Sequence, residues 1–398
     1  MSQPPDPSNI VIVGGGPAAL ATARSYRAAG GKAEVTLVCE EPRPPYERPP
    51  LSKELLRGET DAQAILIEKQ GWFEEHGVRL RLGVAAESID LQAGTVATSD
   101  GAQLRAAAIV IATGSEPLRP QLPGAEDAAV LTFRRLPDSR RLALRTRPGR
   151  PVVVIGSGFI GCEIAGSLAL RGVAVTLVTV EERPQQERLG RDVGERIASW
   201  LGELGVELRC GVEVAAIHGG CEVELSTGEG IVGDCVVLGA GVRPRGELAA
   251  DAGAQMHDGA VVVDESMRAE TSTAADGAAL LAVGDVAFAR NAAAARHLRV
   301  EHWGDALGHG EVAGRTLAGE DGRWDAVPGF WTTIGRHTVK YGAWGDGHDE
   351  CHLTDHAGGA FTVYYVKAGV LAGVLTHERD GDYERGIAAI AAGETPPS

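Results

Sequence analysis

Two glycine-rich segments, each placed between an apolar run and a stretch of helical character, constrain this chain more than any other feature. They occupy residues 10–19 and 152–163, and their first glycines are Gly14 and Gly156. A strand that turns sharply at a glycine into a helix is the dinucleotide-binding fingerprint of Rossmann-like units. Two fingerprints predict an α/β protein that holds two dinucleotides, most economically FAD in one site and NAD(P)H in the other.

The small residues of each fingerprint have separate physical roles. Gly14 makes the tight turn, Gly16 lets the backbone approach a pyrophosphate, and Ala19 lets the helix pack against the strand. The pyrophosphate is expected on the N-terminal amides of the helix, at the positive end of its dipole. The second fingerprint repeats the scheme with three glycines: Gly156, Gly158 and Gly161.

A carboxylate about 20 residues after such a fingerprint commonly binds the ribose hydroxyls of the dinucleotide. After the first fingerprint, Glu40 and Glu41 both fit this role. After the second, the apolar strand ends at Thr179, and carboxylates follow only at Glu181 and Glu182. A 2′-phosphate needs a cation and disfavours a carboxylate, so the choice between NADH and NADPH stays open.

The bulk properties of the chain exclude several classes of protein. A length of 398 residues predicts two or three domains, and a net charge of −16 argues against nucleic-acid binding. No stretch is long and apolar enough to span a membrane. Residues 1–9 are polar and proline-rich, unlike a signal peptide, so we expect a cytoplasmic location.

The cysteine spacing argues against a zinc site and against a redox-active dithiol. The six cysteines contain no C-x-x-C motif and no close pair, and they are Cys39, Cys162, Cys210, Cys221, Cys235 and Cys351. We expect these thiols to be reduced and buried, and we predict no metal site.

An internal duplication of pattern sets the expected domains. Each half contains a fingerprint, a helix, a strand, a β-rich excursion and a closing strand, at 108–114 in the first half and 235–244 in the second. From about residue 322, aromatic residues and alternating stretches indicate a small domain built on an antiparallel sheet. The predicted domains are a discontinuous FAD-binding domain at 1–118 and 242–321, an NAD(P)-binding domain at 119–241 and a C-terminal α+β domain at 322–398.

The segment YERPPLSK at residues 46–53 is the most specific mark of kinship. Together with motifs at 112–114, 241–244, 284–285 and 301–303, it resembles the ferredoxin-reductase branch of the FAD-dependent pyridine nucleotide oxidoreductases. That branch includes putidaredoxin reductase, rubredoxin reductases and the oxidoreductase part of apoptosis-inducing factor. Dithiol reductases of the same superfold carry their redox cysteine pair in the region of this segment.

The resemblance implies four catalytic residues. Lys53 and Glu163 would form an ion pair beside the flavin, Phe159 would lie over its face, and Trp303 would pack at another edge, with Trp331 as a further candidate. The implied cofactor-binding residues are Gly14, Gly16, Pro17, Ala18, Ala19, Glu40, Glu41, Arg48, Lys53, Ala112, Thr113, Gly114, Arg134, Gly156, Gly158, Phe159, Ile160, Gly161, Thr179, Gly241, Gly284, Asp285, Glu301, His302 and Trp303.

The chain departs from the resemblance at three places, the third being the long stretch 344–350, which is unlike the better-known ferredoxin reductases. The family usually carries an acid where Thr179 stands, and an aspartate soon after the aromatic pair Phe330 and Trp331, where this chain has none. Because the C-terminal domain helps to shape the acceptor site, the second departure bears on the identity of the electron acceptor.

The implied activity is transfer of a hydride from NAD(P)H to FAD, followed by single electrons passed to a ferredoxin or another small redox protein. An NAD(P)H oxidase, a quinone or small-molecule reductase, and a redox-sensing protein like apoptosis-inducing factor remain alternatives. An arginine-rich run at 134–150 offers a basic patch for an acidic ferredoxin. We expect no nucleic-acid or membrane partner, and a monomer or homodimer.

Overall fold

The computed structural model describes residues 9–272 and 277–396 of the chain. Contacts divide the chain into two compact units, each discontinuous in sequence. The first unit comprises the described residues up to Glu47, Leu66–Glu116 and Arg243–Phe330, and the second comprises Arg48–Ile65, Pro117–Val242 and the residues from Trp331 onward. The boundaries of the three domains expected from the sequence stay predictions.

The first unit is built on a parallel sheet of five strands. In spatial order the strands are Ala279–Ala282, Ala108–Ile111, Asn9–Val13, Glu34–Cys39 and Val78–Leu82. The neighbouring pairs are all parallel. The central strand is apolar and buried from Ile10 to Val13, as expected for a strand covered on both faces. This sheet confirms the Rossmann-like unit predicted around the first fingerprint.

Two helices of the first unit pack closely because a glycine lies between them. Helix Pro17–Ala28 follows the fingerprint, and helix Trp303–Leu317 packs against it. A Cβ at Gly310 would lie 2.4 Å from the carbonyl oxygen of Ala18, so only glycine permits this approach. The packing fixes where the second helix begins relative to the fingerprint helix.

The remaining elements of the first unit surround this core. A three-stranded antiparallel sheet contains Ala86–Asp90, Thr95–Thr98 and Gln103–Arg105. A four-stranded sheet contains Met256–His257, Ala260–Val263, Ala287–Asn291 and Arg296–Arg299. The short helical segments are Gln70–Glu75, Glu247–Asp251 and the 3₁₀ turn Gly284–Val286.

The second unit contains its own five-stranded parallel sheet. In spatial order its strands are Glu207–Arg209, Ala174–Val178, Pro151–Ile155, Cys235–Leu238 and Leu131–Thr132. The neighbouring pairs are again parallel. An antiparallel sheet is formed by Val214–His218, Glu222–Leu225 and Gly230–Val232. The sequence prediction of a second Rossmann-like sheet is therefore confirmed.

Helical segments complete this part of the second unit. They are the 3₁₀ turn Pro49–Ser52 and the helices Glu54–Arg57, Leu136–Arg145, Phe159–Leu170, Gln186–Leu189 and Arg191–Glu203. Two short strands, Ser115–Pro117 and Val242–Pro244, lie where the chain passes between the units.

The C-terminal segment forms a five-stranded sheet, as its aromatic and alternating sequence predicts. In spatial order the strands are Gly329–Ile334, His337–Ala343, Val370–His377, Phe361–Lys367 and Glu350–Asp355, with a 3₁₀ turn at Ala357–Gly359. The neighbours from His337–Ala343 onward run antiparallel, and helix Asp380–Ala392 packs on this sheet. Among the described residues, no helix combines the length and apolar character needed to cross a bilayer.

Candidate functional site

The turn of the first fingerprint requires glycine. Gly14 has a φ of +138°, and a Cβ there would lie 2.1 Å from the carbonyl oxygen of Ala112. Gly16 differs, because no atom of the described residues lies within 4 Å of a Cβ built on it. One glycine is therefore required by the fold itself, and the other leaves open space at the start of the helix.

That open space suits a phosphate group. Gly16 is the N-cap of helix Pro17–Ala28, no described side chain caps the helix, and its first turn holds no acid. The first amides of a helix bind anions when no side chain satisfies them. Ala18 and Ala19 are buried beneath this end. The geometry fits the pyrophosphate of a dinucleotide.

The second fingerprint has the same construction. Gly156 has a φ of +101°, and a Cβ there would lie 2.5 Å from the carbonyl oxygen of Gly239. A Cβ at Gly161 would lie 2.1 Å from the carbonyl oxygen of Gly156, which explains the third glycine. Gly158 is the uncapped N-cap of helix Phe159–Leu170. This end also fits a pyrophosphate.

The strands that follow the fingerprints align residue by residue. The amide of Gly14 donates to the carbonyl of Val38 at 2.9 Å, and that of Gly156 donates to the carbonyl of Val178 at 2.8 Å. Counting onward from these bonds, Cys39 corresponds to Thr179, and Glu40 to Val180. Glu40 accepts from Arg245 at 2.8 Å, and Glu41 accepts from the Tyr46 hydroxyl at 2.7 Å. Val180 is 63% exposed.

At the end of the second strand, the hydroxyl groups of Thr179 and Ser157 lie where the first strand has the thiol of Cys39. Thr179 Oγ1 lies 2.7 Å from Ser157 Oγ, and Gln185 Nε2 donates to the Ser157 carbonyl at 2.7 Å. Glu181 Oε2 is buried and has no hydrogen-bond partner among the described residues, and burial raises the pKa of this carboxyl. The second strand end thus holds a carboxylate oxygen that lacks a donor, two residues beyond Thr179.

Lys53 and Glu163 meet inside the second unit as the resemblance implies. Lys53 Nζ lies 2.7 Å from Glu163 Oε1, and both side chains are buried. Ser52 Oγ donates to Glu163 Oε2 at 2.5 Å, and Thr332 Oγ1 donates to Oε1 at 2.7 Å. Neither Ser52 nor Thr332 was predicted from the sequence as a site residue. The signals available were the position of Ser52 beside Lys53, and a threonine close to where the family carries an acid.

Arg48 and Arg134 also lie together in the second unit. Arg48 Nη1 donates to the carbonyl oxygen of Arg134 at 3.0 Å. Nearby, Ser139 Oγ donates to the Leu51 carbonyl at 2.7 Å, which ties helix Leu136–Arg145 to the segment that carries Lys53. Both arginines are therefore connected to one local framework.

In the first unit, Asp285 lies in a buried 3₁₀ turn. Asp285 Oδ2 accepts from Ser115 Oγ at 2.7 Å. The preceding Gly284 has a φ of +74°, and a Cβ there would lie 3.2 Å from the Cβ of Ala18. Thr113 Oγ1 donates to the Arg245 carbonyl at 2.6 Å, and the adjacent Gly114 also has a positive φ. The turn carrying Asp285 is thus adjacent to the first fingerprint helix.

The residues at the start of helix Trp303–Leu317 are linked by polar contacts. His302 Nδ1 lies 3.1 Å from Asp305 Oδ2, which also accepts from the Gly329 amide at 3.3 Å. Glu301 pairs with Arg299 at 2.6 Å. Trp303 is half-buried. These contacts hold the helix start in place, and the cofactor roles of the triplet 301–303 stay predictions.

Three other predicted residues lie in the second unit. Phe159 lies under a guanidinium, because Arg188 Cζ is 5.6 Å from its ring centroid. Ile160 is 44% exposed on the same helix. Gly241 has a φ of +94°, and its carbonyl accepts from the Leu118 amide at 2.9 Å.

The thiols are all unpaired with one another, but their burial is only partly as predicted. Cys39, Cys162 and Cys235 are buried and Cys210 is half-buried, whereas Cys221 and Cys351 are exposed, so the expectation of burial was wrong for those last two. Cys221 lies on a turn, and Cys351 lies on the outermost strand of the C-terminal sheet. Burial raises the pKa of Cys39 to about 12 and that of Cys235 to about 11.

Comparison with known proteins agrees with this arrangement. Residues 8–310 match the family described as pyridine nucleotide-disulphide oxidoreductase. The anthranilate 1,2-dioxygenase system ferredoxin–NAD(+) reductase component of Burkholderia cepacia is 32% identical, covering 97% of this chain and 95% of that protein. The chlorobenzene dioxygenase ferredoxin reductase component of Cupriavidus sp. (strain PS12) is 30% identical, covering 94% and 90%.

A solved structure shows the same relationship. The reductase in the covalent putidaredoxin reductase–putidaredoxin complex superposes with a TM-score of 0.89 at 27% identity, covering 97% of this chain and 93% of that one. Two fingerprints, a family match over most of the length and relatives at 30% identity or more agree on one assignment. The chain belongs to the pyridine nucleotide-disulphide oxidoreductase family, among relatives that are ferredoxin reductases.

Proposed function

We propose that this chain is an FAD-dependent oxidoreductase that takes a hydride from NADH and delivers single electrons to a ferredoxin. The family makes it an NAD(P)H-dependent flavoprotein oxidoreductase. The single observation that carries the finer proposal is the buried contact between Lys53 Nζ and Glu163 Oε1, 2.7 Å apart, because Lys53 lies in the segment 46–53, which holds no cysteine. With no dithiol in that segment, electrons leave the flavin for an external acceptor.

The residues of the first unit fit FAD. The open N-terminus of helix Pro17–Ala28 would hold the pyrophosphate, Glu40 would bind the adenosine ribose, and Asp285 would hold the ribityl or pyrophosphate region. Held by these residues, FAD would supply acceptance of a hydride from reduced nicotinamide and onward transfer of single electrons.

The protein contributes position and charge to this reaction. Lys53 supplies a buried cation, and Glu163 fixes the direction of its ammonium group. A cation fixed in a site that excludes water stabilises developing negative charge more strongly than a solvated one. Lys53→Ala should therefore slow reduction by about a hundredfold. Unchanged half-reaction kinetics would remove Lys53 from the site.

We propose NADH as the donor. Support comes from the ferredoxin–NAD(+) reductase component that is 32% identical to this chain. The oligomeric state and the cytoplasmic location stay predictions.

We propose that the ferredoxin docks on an arginine surface, defined as Arg140, Arg141, Arg145 and Arg147. All four are exposed, and Leu144 between them is 81% exposed. Arg150 belongs to this sequence run but pairs with Asp234 at 2.6 Å, and Arg134 and Arg135 are half-buried. In a chain of net charge −16, this surface offers a local positive potential to an acidic partner. The relatives' oxygenase systems suggest that the ferredoxin serves an oxygenase.

The test follows ferredoxin reduction by the FAD-loaded protein and NADH as salt rises. We expect turnover to fall with salt, and the double variant Arg140→Ala/Arg147→Ala to weaken the salt dependence. Arg191→Ala/Arg323→Ala removes the same charge elsewhere and is the matched control. Turnover that ignores salt contradicts this docking surface. Rapid reoxidation by oxygen or quinone, with no ferredoxin turnover, would instead favour an oxidase or a small-molecule reductase.

A further inference from the structure

Two hydroxyl groups lie against the carboxylate of Glu163. Ser52 Oγ donates to Oε2 at 2.5 Å, and Thr332 Oγ1 donates to Oε1 at 2.7 Å. Lys53 Nζ approaches the same Oε1 at 2.7 Å. Glu163 is 3% exposed, Ser52 2% and Thr332 1%. The carboxylate is therefore held by three donors in a place that water does not reach.

The Ser52 donor is itself anchored to the helix of Glu163. Ser167 Oγ, one turn beyond Glu163 on helix Phe159–Leu170, donates to the Ser52 carbonyl at 2.7 Å. Lys53 Nζ also donates to the Pro49 carbonyl at 3.1 Å. The 3₁₀ turn Pro49–Ser52 is therefore tied to helix Phe159–Leu170 through Ser167, and Lys53 is anchored to the carbonyl of its own turn.

Thr332 reaches Glu163 because the backbone of its hairpin lies close to helix Phe159–Leu170. A Cβ at Gly166 would lie 3.0 Å from the amide nitrogen of Gly335, so the hairpin turn rests directly on the helix one turn beyond Glu163. The next residue, Thr333, uses its hydroxyl differently, lying 2.9 Å from Thr338 Oγ1. Of these two neighbouring threonines, only Thr332 donates a hydrogen bond to Glu163 in the described structure.

We propose that Ser52 and Thr332 are positioning residues for the reduction step, acting through Glu163 on Lys53. The inference rests on the proposed function only for the role of the Lys53–Glu163 pair. A buried acceptor that loses a donor turns toward the donors that remain, and a displacement well below 1 Å matters where reacting groups must be aligned. Because the Thr332 hydroxyl and Lys53 Nζ share Oε1, the Thr332 hydroxyl fixes where Lys53 Nζ is held.

The experiment compares Thr332→Val, Thr332→Ser and the matched control Thr333→Val in anaerobic stopped-flow reduction by NADH. We expect T332V to lower the limiting rate about tenfold, with the dissociation constant for NADH within about twofold of wild type. T332S should restore the rate, and T333V should match wild type. Ser52→Ala removes the other donor and serves as an independent variant if T332V does not fold.

Two further measurements separate positioning from general damage. In a Glu163→Gln background, T332V should add no further loss, because the two residues act as one unit. The midpoint potential of bound FAD is measured with dithionite and a reference dye. It should fall in T332V, because the Glu163 carboxylate loses the partial positive charge of the Thr332 hydroxyl hydrogen and its negative charge is less compensated. It should recover in T332S, which restores the hydroxyl. A T332V rate within about twofold of wild type, additive losses in the E163Q background, or an unshifted potential each overturn the proposal. Failure of NADH to reduce the wild-type FAD instead counts against the proposed function, and the potentials remain measurable.

Discussion

The two fingerprints share a backbone but differ at the strand end that follows them. Both first glycines have a positive φ. A Cβ built on Gly14 would lie 2.1 Å from a carbonyl oxygen of its closing segment, and a Cβ built on Gly156 would lie 2.5 Å from the corresponding oxygen. Beyond this shared turn, the first strand ends at Cys39 and is followed by Glu40, whereas the second strand ends at Val178 and is followed by Thr179 and Val180. The turn backbone therefore suits a dinucleotide in both units, whereas the residues that follow the two strands present different groups to a ribose.

Replacing the turn glycine of one unit should have the largest effect. Gly14→Ala places a Cβ 2.1 Å from the Ala112 carbonyl oxygen at a φ that alanine rarely adopts, so we expect a loss of at least about 3 kcal/mol and no bound FAD. The control is Gly71→Ala, which meets no described atom within 4 Å and should change stability by about 1 kcal/mol or less. A G14A variant with the wild-type melting temperature would contradict the shared-turn account.

The N-cap glycines should separate the two sites by ligand. Gly16 and Gly158 have φ values of −93° and −58°, which alanine tolerates, so both variants should fold. We expect Gly16→Ala to weaken FAD binding and Gly158→Ala to weaken NADH binding, each by about tenfold or more, because a methyl group obstructs the pyrophosphate. Absorbance of retained flavin and equilibrium titration with NAD⁺ measure the two losses. If either variant lost both ligands equally, the assignment of one dinucleotide to each fingerprint would be wrong.

A smaller effect should follow from converting one strand end toward the other. Val180→Glu introduces a carboxylate at the position that corresponds to Glu40, on a side chain that is 63% exposed. We expect a roughly tenfold gain in preference for ADP over 2′,5′-ADP, because the carboxylate accepts from ribose hydroxyls and repels a 2′-phosphate. Val232→Glu, equally exposed on an antiparallel strand, controls for the added charge. An unchanged preference for ADP over 2′,5′-ADP in Val180→Glu would show that the alignment of Val180 with Glu40 does not identify the ribose-binding position.

The smallest effect concerns Cys39, the residue of the first unit that corresponds to Thr179 of the second unit. Burial raises the pKa of Cys39 to about 12, so about one thiol in ten thousand is ionised at pH 8. We expect a thiol reagent at pH 8 to label the exposed Cys221 rapidly, to label Cys351 more slowly because partial burial raises its pKa, and to leave Cys39 unmodified until the protein unfolds. Mass spectrometry of the labelled peptides reads this out, and early labelling of Cys39 would refute its enclosure.

The sequence predicts the turns better than the contacts between distant segments. Gly14 and Gly156 are recognisable because a strand, a turn and a helix are local, and each role depends on a few neighbouring residues. The Lys53–Glu163 pair was expected only through family resemblance, since the two residues are far apart in sequence. Thr332 was not foreseen because its place beside Glu163 depends on the approach of Gly335 to Gly166, which no local pattern encodes.

The most direct test of the central claim is an anaerobic titration of the purified, FAD-loaded protein with NADH, followed by absorbance. Two fingerprints that hold donor and acceptor nucleotides predict that about one equivalent of NADH bleaches the flavin band, and that an added ferredoxin restores it. A protein that purifies without flavin, or a flavin band that excess NADH leaves unchanged, would contradict the account.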